Sequence, residues 1–293
     1  MANLHNTPIR IANILIELTS PLSAVELGIE GRLGPFRAAG TPGKPLARVA
    51  LRWEESAHPP TPHGELIYDA GLKMYRAGTD CYAALTYQSG GRGARARAVL
   101  RANPGWDDLT LTERRTGPQW WSLLNIGVGE LILRTAILFT GGLVFHSAAI
   151  DDNGRGIVIV GHSGEGKSTQ ANFWNHVPGA LVINEDRNAV RSSTSVTMCY
   201  GTPWAGKSNI ARNHEAPLSA LILLEHAPKN DIQRLSPSVS APLLLARAFL
   251  PYWDQSLMLR AMANLNGILA RVPVYRLRCR PEPEVVSLVR SVL

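Results

Sequence analysis

Ile157-Val158-Ile159-Val160-Gly161-His162-Ser163-Gly164-Glu165-Gly166-Lys167-Ser168-Thr169 is the stretch on which the reading of this chain turns. An apolar β-branched run ends in a glycine, and four residues then separate that glycine from Gly-Lys-Ser. This is the phosphate-binding loop pattern, in the strand-before, helix-after setting it requires. Glycines at 161, 164 and 166 let backbone N–H groups converge on phosphate oxygens where side chains would block the approach. Lys167 is placed to neutralise the β- and γ-phosphates, and the Ser168 hydroxyl to ligate Mg²⁺. Thr169–Trp174 starts a helix whose amino-terminal dipole favours an anion. The expected nucleotide-binding set is Gly161, Ser163, Gly164, Glu165, Gly166, Lys167, Ser168 and Thr169.

Upstream, the strand Leu143–Ile150 and the run Ile157–Val160 flank Asn153-Gly154, the strongest short hairpin signal. A two-residue turn there sets Ile150 opposite Ile157 and His146 opposite Gly161. His146 would then bond a phosphate oxygen, orient a carboxylate, or simply be satisfied by backbone; the residues alone leave all three open. Downstream, the short strand Ala180–Ile183 leads into Asn184-Glu185-Asp186-Arg187. So compact a strand–loop–helix–strand unit puts both carboxylates at a strand's carboxyl edge, near the loop. One would hold Mg²⁺ and the other would accept a proton from an attacking hydroxyl. Asp186, shorter and beside Arg187, is favoured for the metal, and Glu185, with its longer reach, for the base. The alternative is a solvated turn with an Asp–Arg pair.

The loop pattern occurs twice. Gly201-Thr202-Pro203-Trp204-Ala205-Gly206-Lys207-Ser208 also fits letter by letter. Pro203 has no N–H to donate, Trp204 sets an indole where phosphates should lie, and the polar segment that follows ends in proline. This copy is read as a decoy whose Lys207, with Arg212, reaches toward a substrate anion.

Composition bounds the rest. With 293 residues, 45% hydrophobic and 18% charged, the chain can bury an ordinary core, as one large domain or two modest ones. Its formal net charge is +7, almost all of the excess being arginine, since Lys44, Lys73, Lys167, Lys207 and Lys229 are the only lysines. The basic residues are scattered, which favours small anions or an acidic partner surface and argues against nucleic acid. Cys81, Cys199 and Cys279 are too isolated for a disulfide framework or a paired-cysteine zinc site, so free thiols in a cytoplasmic protein are expected. The apolar stretch Trp120–Phe145 contains Glu130 and Arg134, four apart, and reads as a buried helix (Trp120–Thr140) closed by Gly141-Gly142. No membrane span is expected.

Residues 1–117 read as a β-rich amino-terminal domain, with strands at Ile9–Thr19, Ala47–Glu54, Leu66–Tyr75, Cys81–Tyr87 and Ala96–Ala102. Residues 118–293 form the second domain. It adds a strand at Ala220–Leu224, helices at Leu243–Leu250 and Leu257–Leu269, and Val274–Arg280, a half-exposed strand with one apolar and one cationic side, whose arginines also discourage edge pairing.

Taken in order, Phe145-His146-Ser147-Ala148-Ala149, Gly161–Thr169, Glu185-Asp186-Arg187 and Gly201-Thr202-Pro203-Trp204 resemble the catalytic domain of HPr kinase/phosphorylase, over residues 118–293. The nearest resemblance is to HPr-kinase-related proteins found beside peptide-modification genes. It implies an α/β fold, a P-loop domain with a mixed sheet shared with phosphoenolpyruvate carboxykinase. It also implies ATP and Mg²⁺ as cofactors, and transfer of the γ-phosphoryl group to a serine hydroxyl of a peptide or small protein. Glu185-Asp186 falls on the family's Asp-Asp pair and His146 on its histidine, so these three are the catalytic candidates. Ser168 and Asp186 fall to the metal. Glu185 replaces an aspartate, the amino-terminal region is not that of the bifunctional regulator, and the Gly-rich segment tied to dephosphorylation is missing. HPr itself is therefore not the expected acceptor. A homo-oligomer follows only by analogy with the family's hexamers. The rival reading is a non-enzymatic ATP-binding module that docks a partner, or a small-molecule kinase.

Overall fold

The computed structural model describes residues 4–38, 44–58, 60–86, 96–114, 127–206 and 208–293. It is an α/β protein with mixed sheets, divided into two compact units. The first comprises Met1–Ala136 with Pro251–Gln255, the second Ile137–Leu250 with Ser256–Leu293. The division falls after Ala136, later than the Gly117-Pro118 boundary read from composition, and that dipeptide lies outside the described residues.

In the first unit, β1 (His5–Ile11) and β2 (Ile14–Ser20) form a hairpin. The single strand expected at Ile9–Thr19 is thus two, because Ala12 and Asn13 take φ of +50° and +62° and reverse the chain. There follow β3 (Ala47–Glu55), β4 (Glu65–Asp69), β5 (Lys73–Ala77), β6 (Asp80–Thr86), β7 (Ala96–Ala102) and β8 (Asp108–Glu113). Leu66–Tyr75 likewise splits, at the positive-φ Gly71 between β4 and β5. The eight strands run in the order β1-β2-β3-β8-β7-β6-β5-β4, with β3 parallel to both its neighbours. Helix α1 (Val128–Ala136) closes the unit, and Glu130 and Arg134 pair along it at 3.7 Å. The helix expected from Trp120 lies, over 120–126, outside the described residues. At its other end it tightens into a 3₁₀ turn, Ile137–Thr140, which Gly141 stops at φ +81°.

The second unit opens with β9 (Gly142–Asp152), joined to β10 (Arg155–Val160) by Asn153 and Gly154 at φ +54° and +83°. The register is the expected one, Ile150 opposite Ile157, and the ladder ends at Ser147 opposite Val160. Beyond the loop come α2 (Lys167–Trp174), β11 (Ala180–Asn184), β12 (Arg187–Ser192), β13 (Thr197–Gly201) and β14 (Glu215–His226). The chain ends with β15 (Asp231–Leu235), α3 (Pro237–Leu245), α4 (Gln255–Leu269), β16 (Val274–Cys279) and α5 (Val285–Arg290). Strands β10, β14 and β16 are parallel neighbours, while β9, β12, β13 and β15 pair antiparallel. Because β10 is covered on both faces, its apolar residues do not alternate with polar ones. Ile157 and Ile159 pack with Ala171, Trp174, Val285 and Val289.

Two expectations are corrected here. The helix at Leu243–Leu250 ends at Leu245 and begins earlier, at Pro237, where a proline in the first turn is a start signal. Val274–Cys279 is half-exposed as read, with Val274, Leu277 and Cys279 buried, but its arginines guard no edge, since β14 and β15 flank it. Its arginines are instead matched to acids: Arg276 to Glu225 at 3.1 Å and Arg278 to Asp231 at 2.7 Å. All three cysteines are free and buried, and burial pushes the Cys199 thiol up to about 12.

Candidate functional site

Strand β9 changes partners at its middle, and the candidate site grows from that fork. Along one edge, β11 and β12 follow each other: the pairing shifts by one residue at Ile183, between Val182 and Asn184, and the ladder is then interrupted at Glu185-Asp186 before β12 resumes it in the same register. The Asn184 amide oxygen holds the interruption by accepting the N–H groups of Asp186 and Arg187, at 2.8 and 3.2 Å. Ser147 N–H donates to the Asp186 carbonyl at 2.9 Å. Along the other edge, β10 stops opposite Ser147 and the chain leaves into the glycine loop. The vacated edge is taken by Arg247–Phe249: His146 N–H donates to the Arg247 carbonyl at 2.9 Å, and Ala248 bridges Phe145.

His146 therefore lies one residue beyond the ladder, level with Gly161, and its side chain turns to the acid. Its Nε2 is 3.2 Å from Asp186 Oδ1, while Arg187 pairs with Asp186 Oδ2. Burial alone would raise the Asp186 carboxyl, but the His146 hydrogen bond and the charges of Arg187 and Lys167 outweigh it and hold the carboxyl below its ordinary value. Glu185 is only 6% exposed, and no hydrogen bond or ion pair among the described residues holds it. Of the carboxylate pair, the structure brings Asp186 and His146 together and leaves Glu185 uncommitted.

The loop leaves β10 as the sequence requires. Gly164 and Gly166 have φ of +87° and +88°, values that L side chains rarely adopt. Helix α2 starts at Lys167, with Ser168 and Thr169 exposed on its first turn, as is Ser163 in the loop. Lys167 is buried, and its Nζ donates to the Gly161 and His162 carbonyls at 2.9 and 2.8 Å. Burial lowers its pKa, and Arg247 adds to the lowering, while Glu165 and Asp186 pull it back. Glu165 folds onto the loop itself, its Oε2 accepting the His162 N–H at 2.5 Å, so it braces the turn with its side chain. A Cβ on Gly161 would stand 2.7 Å from that same oxygen, so a side chain there would displace the Glu165 carboxylate from the His162 N–H.

The second copy of the pattern is built differently. Gly201 ends β13, Trp204 is 1% exposed, and no helix follows Ser208. The Thr202 and Trp204 carbonyls accept from the Asn184 amide at 2.8 and 3.3 Å, so this segment supports the Glu185-Asp186 interruption from behind. Lys207 lies outside the described residues. Arg212 is exposed and anchored to β11: one guanidinium nitrogen donates to the Val182 carbonyl and its backbone N–H to the Ile183 carbonyl at 3.0 Å.

Sequence reasoning missed Arg247, because it assigned that residue to a helix. The one available signal was Pro237 as the true helix start, which moves Arg247 past the end. Among the described residues no group of three or more His, Cys, Asp or Glu is placed to hold a metal ion. Asp186, a carboxylate held below its ordinary pKa, and the exposed Ser168 hydroxyl are oxygen donors of the kind that Mg²⁺ takes.

Fold and site together describe an α/β protein with mixed sheets, in which a glycine loop with a buried lysine stands beside a carboxylate–histidine pair. Residues 116–285 match the family model for the SynChlorMet cassette protein ScmC, which is more than half of the chain, and the chain belongs to that family. No curated protein matches it. Among solved structures it is similar to the Hpr(Ser) kinase/phosphatase from Coxiella burnetii, at 12% identity and a TM-score of 0.30, over 50% of this chain and 88% of that one. No helix among the described residues is long and apolar enough to cross a membrane.

Proposed function

We propose that the second unit is an ATP-dependent kinase, transferring the γ-phosphoryl group to a hydroxyl, serine by preference, of a peptide or small protein. The observation that carries this reading is the buried Lys167 ammonium at the start of α2, beside an Asp186 carboxylate kept ionised by His146. ATP supplies the phosphoryl group, and Mg²⁺ screens its charge. The loop Gly161–Thr169 binds the phosphates, and Lys167 exchanges its two carbonyl partners for phosphate oxygens. Asp186 and Ser168 hold the metal, a task that suits a carboxyl whose pKa is lowered. Glu185 accepts the proton of the acceptor hydroxyl, and His146 fixes the orientation of Asp186. Lys207 and Arg212 meet the acceptor, Arg212 through the guanidinium nitrogens that the Val182 carbonyl does not use.

The family's name places its members in a cassette, so the acceptor is sought first among the other products of the same cassette. The test is phosphoryl transfer from γ-labelled ATP, with Mg²⁺, to a small precursor peptide encoded beside this chain. Label on an acceptor serine supports the reading. ATP binding without turnover over any such peptide returns the non-enzymatic module, and no ATP binding removes both.

A further inference from the structure

We infer that His226 is the residue on which the base of the bound nucleotide stacks, on the side of the glycine loop away from Asp186. The inference rests on the nucleotide reading above and deepens it, because the loop and its lysine account for the phosphates and for nothing beyond them. Strand topology places the residue. β10 lies between β9 and β14, and His146 with Asp186 stands on the β9 side. On the other side the parallel ladder ends at Val160 opposite Leu223, where β10 turns into the loop. β14 runs on for three more residues, Leu224, Glu225 and His226, paired there with β16, while its other edge faces the loop. His226 falls on the same face of the sheet as Ile222 and Leu224, which pack in one cluster with Ala171 and Trp174 of α2. Its ring therefore reaches the amino-terminal end of that helix. A Cβ on Gly166, the residue before Lys167, would meet His226 Cε1 at 3.7 Å and Nε2 at 3.8 Å, ordinary van der Waals contact.

The ring has no task in holding the fold. His226 is exposed, and no hydrogen bond or ion pair among the described residues engages it. Its backbone, by contrast, is pinned. The Ala227 N–H donates to the Cys279 carbonyl at 3.1 Å, and the Asn230 amide oxygen accepts the Arg280 N–H at 2.9 Å. Glu225, the neighbouring acid, faces Arg276 at 3.1 Å. A flat ring on a fixed strand end is a preformed surface, and little freedom is lost when a ligand covers it. The direction of the nucleotide selects which part of the ligand does so. With metal and γ-phosphate drawn to Asp186 on the β9 side, the phosphates follow the loop, and the nucleoside leaves over the carboxyl end of β14. A purine presents a flat π-face, and an imidazole offers the matching one. Stacking of this kind reads no base edge, so His226 favours a nucleoside triphosphate over a bare polyphosphate without choosing among bases.

The experiment is calorimetric titration of the full chain with Mg-ATP and with Mg-tripolyphosphate, for the wild type, His226→Ala, His226→Gln and His226→Phe, with a thermal melt of each. His226→Ala is expected to weaken ATP about tenfold, the lower part of the range for one base on an aromatic ring, and to leave tripolyphosphate within about twofold. His226→Gln keeps a hydrogen-bonding side chain but no ring, so it is expected to match His226→Ala, and it decides the matter should that variant not fold. His226→Phe keeps a ring without its nitrogens and is expected to hold ATP within about threefold of the wild type. Equal losses for both ligands make His226 a phosphate contact. An ATP loss in His226→Phe as large as in His226→Ala makes it a hydrogen-bonding group, and unchanged ATP affinity in His226→Ala makes it a surface residue. Each of these overturns the stacking and leaves the nucleotide reading intact. A wild type that binds neither ligand overturns both.

Discussion

The Lys167 side chain is held at both ends of its purpose, buried among loop carbonyls and near two carboxylates and an arginine. Its ammonium is bonded to loop carbonyls and to no core side chain among the described residues. Lys167→Ala is therefore expected to fold and to lose most ATP affinity, whereas Lys207→Ala keeps it, because the second loop leads into no helix and hides an indole. Calorimetry on the two variants checks this, and equal losses would mean the wrong loop was chosen. The two acids are separated by a different measurement. Glu185→Gln and Asp186→Asn should each cut phosphoryl transfer by roughly a hundredfold or more, the scale of losing a general base or a metal ligand. Raised Mg²⁺ should partly rescue Asp186→Asn and leave Glu185→Gln unmoved. Wild-type rates in both would reduce the pair to a turn. The carboxylates, the loop and His146 were all readable from residue types and spacing. That Asp186 takes the histidine while the buried Glu185 has no hydrogen bond or ion pair among the described residues was not, because it depends on a one-residue shift at Ile183 within β11, ahead of both acids.

At the scale of elements, the glycine that ends β13 and the glycine near the end of α4 make opposite predictions. A Cβ on Gly201 would fall 2.1 Å from the Arg212 carbonyl oxygen and 2.7 Å from Ile183 Cγ2. One of those obstacles is backbone, so Gly201→Ala should cost about 2–4 kcal/mol, in the range of overpacked cores. Gly267 lies inside α4 with open space around its missing side chain. Gly267→Ala should stabilise by about 0.5–1 kcal/mol, since alanine loses less backbone freedom in a helix. Urea denaturation of both variants at neutral pH measures the two signs; a stabilised Gly201→Ala would mean the loop from 201 to 212 is not packed as described. The elements that sequence periodicity found were those whose burial pattern is regular, such as β9, β10 and α4. Strands β12, β13 and β15 escaped it. Their polar residues, among them Asn188, Arg191 and Gln233, mask a strand in a one-dimensional reading, and only pairing with neighbours reveals it.

Across the second unit as a whole, one buried acid ties the hairpin to the carboxyl-terminal helix. The Asp152 side chain is fully buried and accepts from Arg290 at 3.0 and 2.5 Å, Arg155 at 2.8 Å and Asn153 at 3.1 Å. Burial by itself would raise its pKa; the hydrogen bonds and charge of Arg290, with Asn153 and Arg155, hold it below the ordinary value. A carboxyl lowered in the folded state contributes in full above its unfolded pKa, near 4, and loses that contribution as pH falls through the folded value. Asp152→Asn should therefore destabilise at pH 7 by about 2 kcal/mol, because both arginines are partly solvated and screened. The gap to wild type should shrink at pH 3, as read by urea melts at the two pH values; a gap independent of pH would make the contribution one of shape alone. Local chemistry sufficed for the glycine loop and the hairpin register, since a glycine count, an Asn-Gly turn and an uninterrupted apolar strand act over a few residues, while the α/β class came from the family resemblance. Only the tertiary structure decided which edge of β9 each later segment takes. On that choice depend the placing of Asp186 and Arg247 on opposite sides of His146, the internal position of β16, and the use of Arg212 as a strand tie. Those outcomes are set by pairings between residues scores of positions apart, where many registers satisfy the same local pattern and only the packed core selects one.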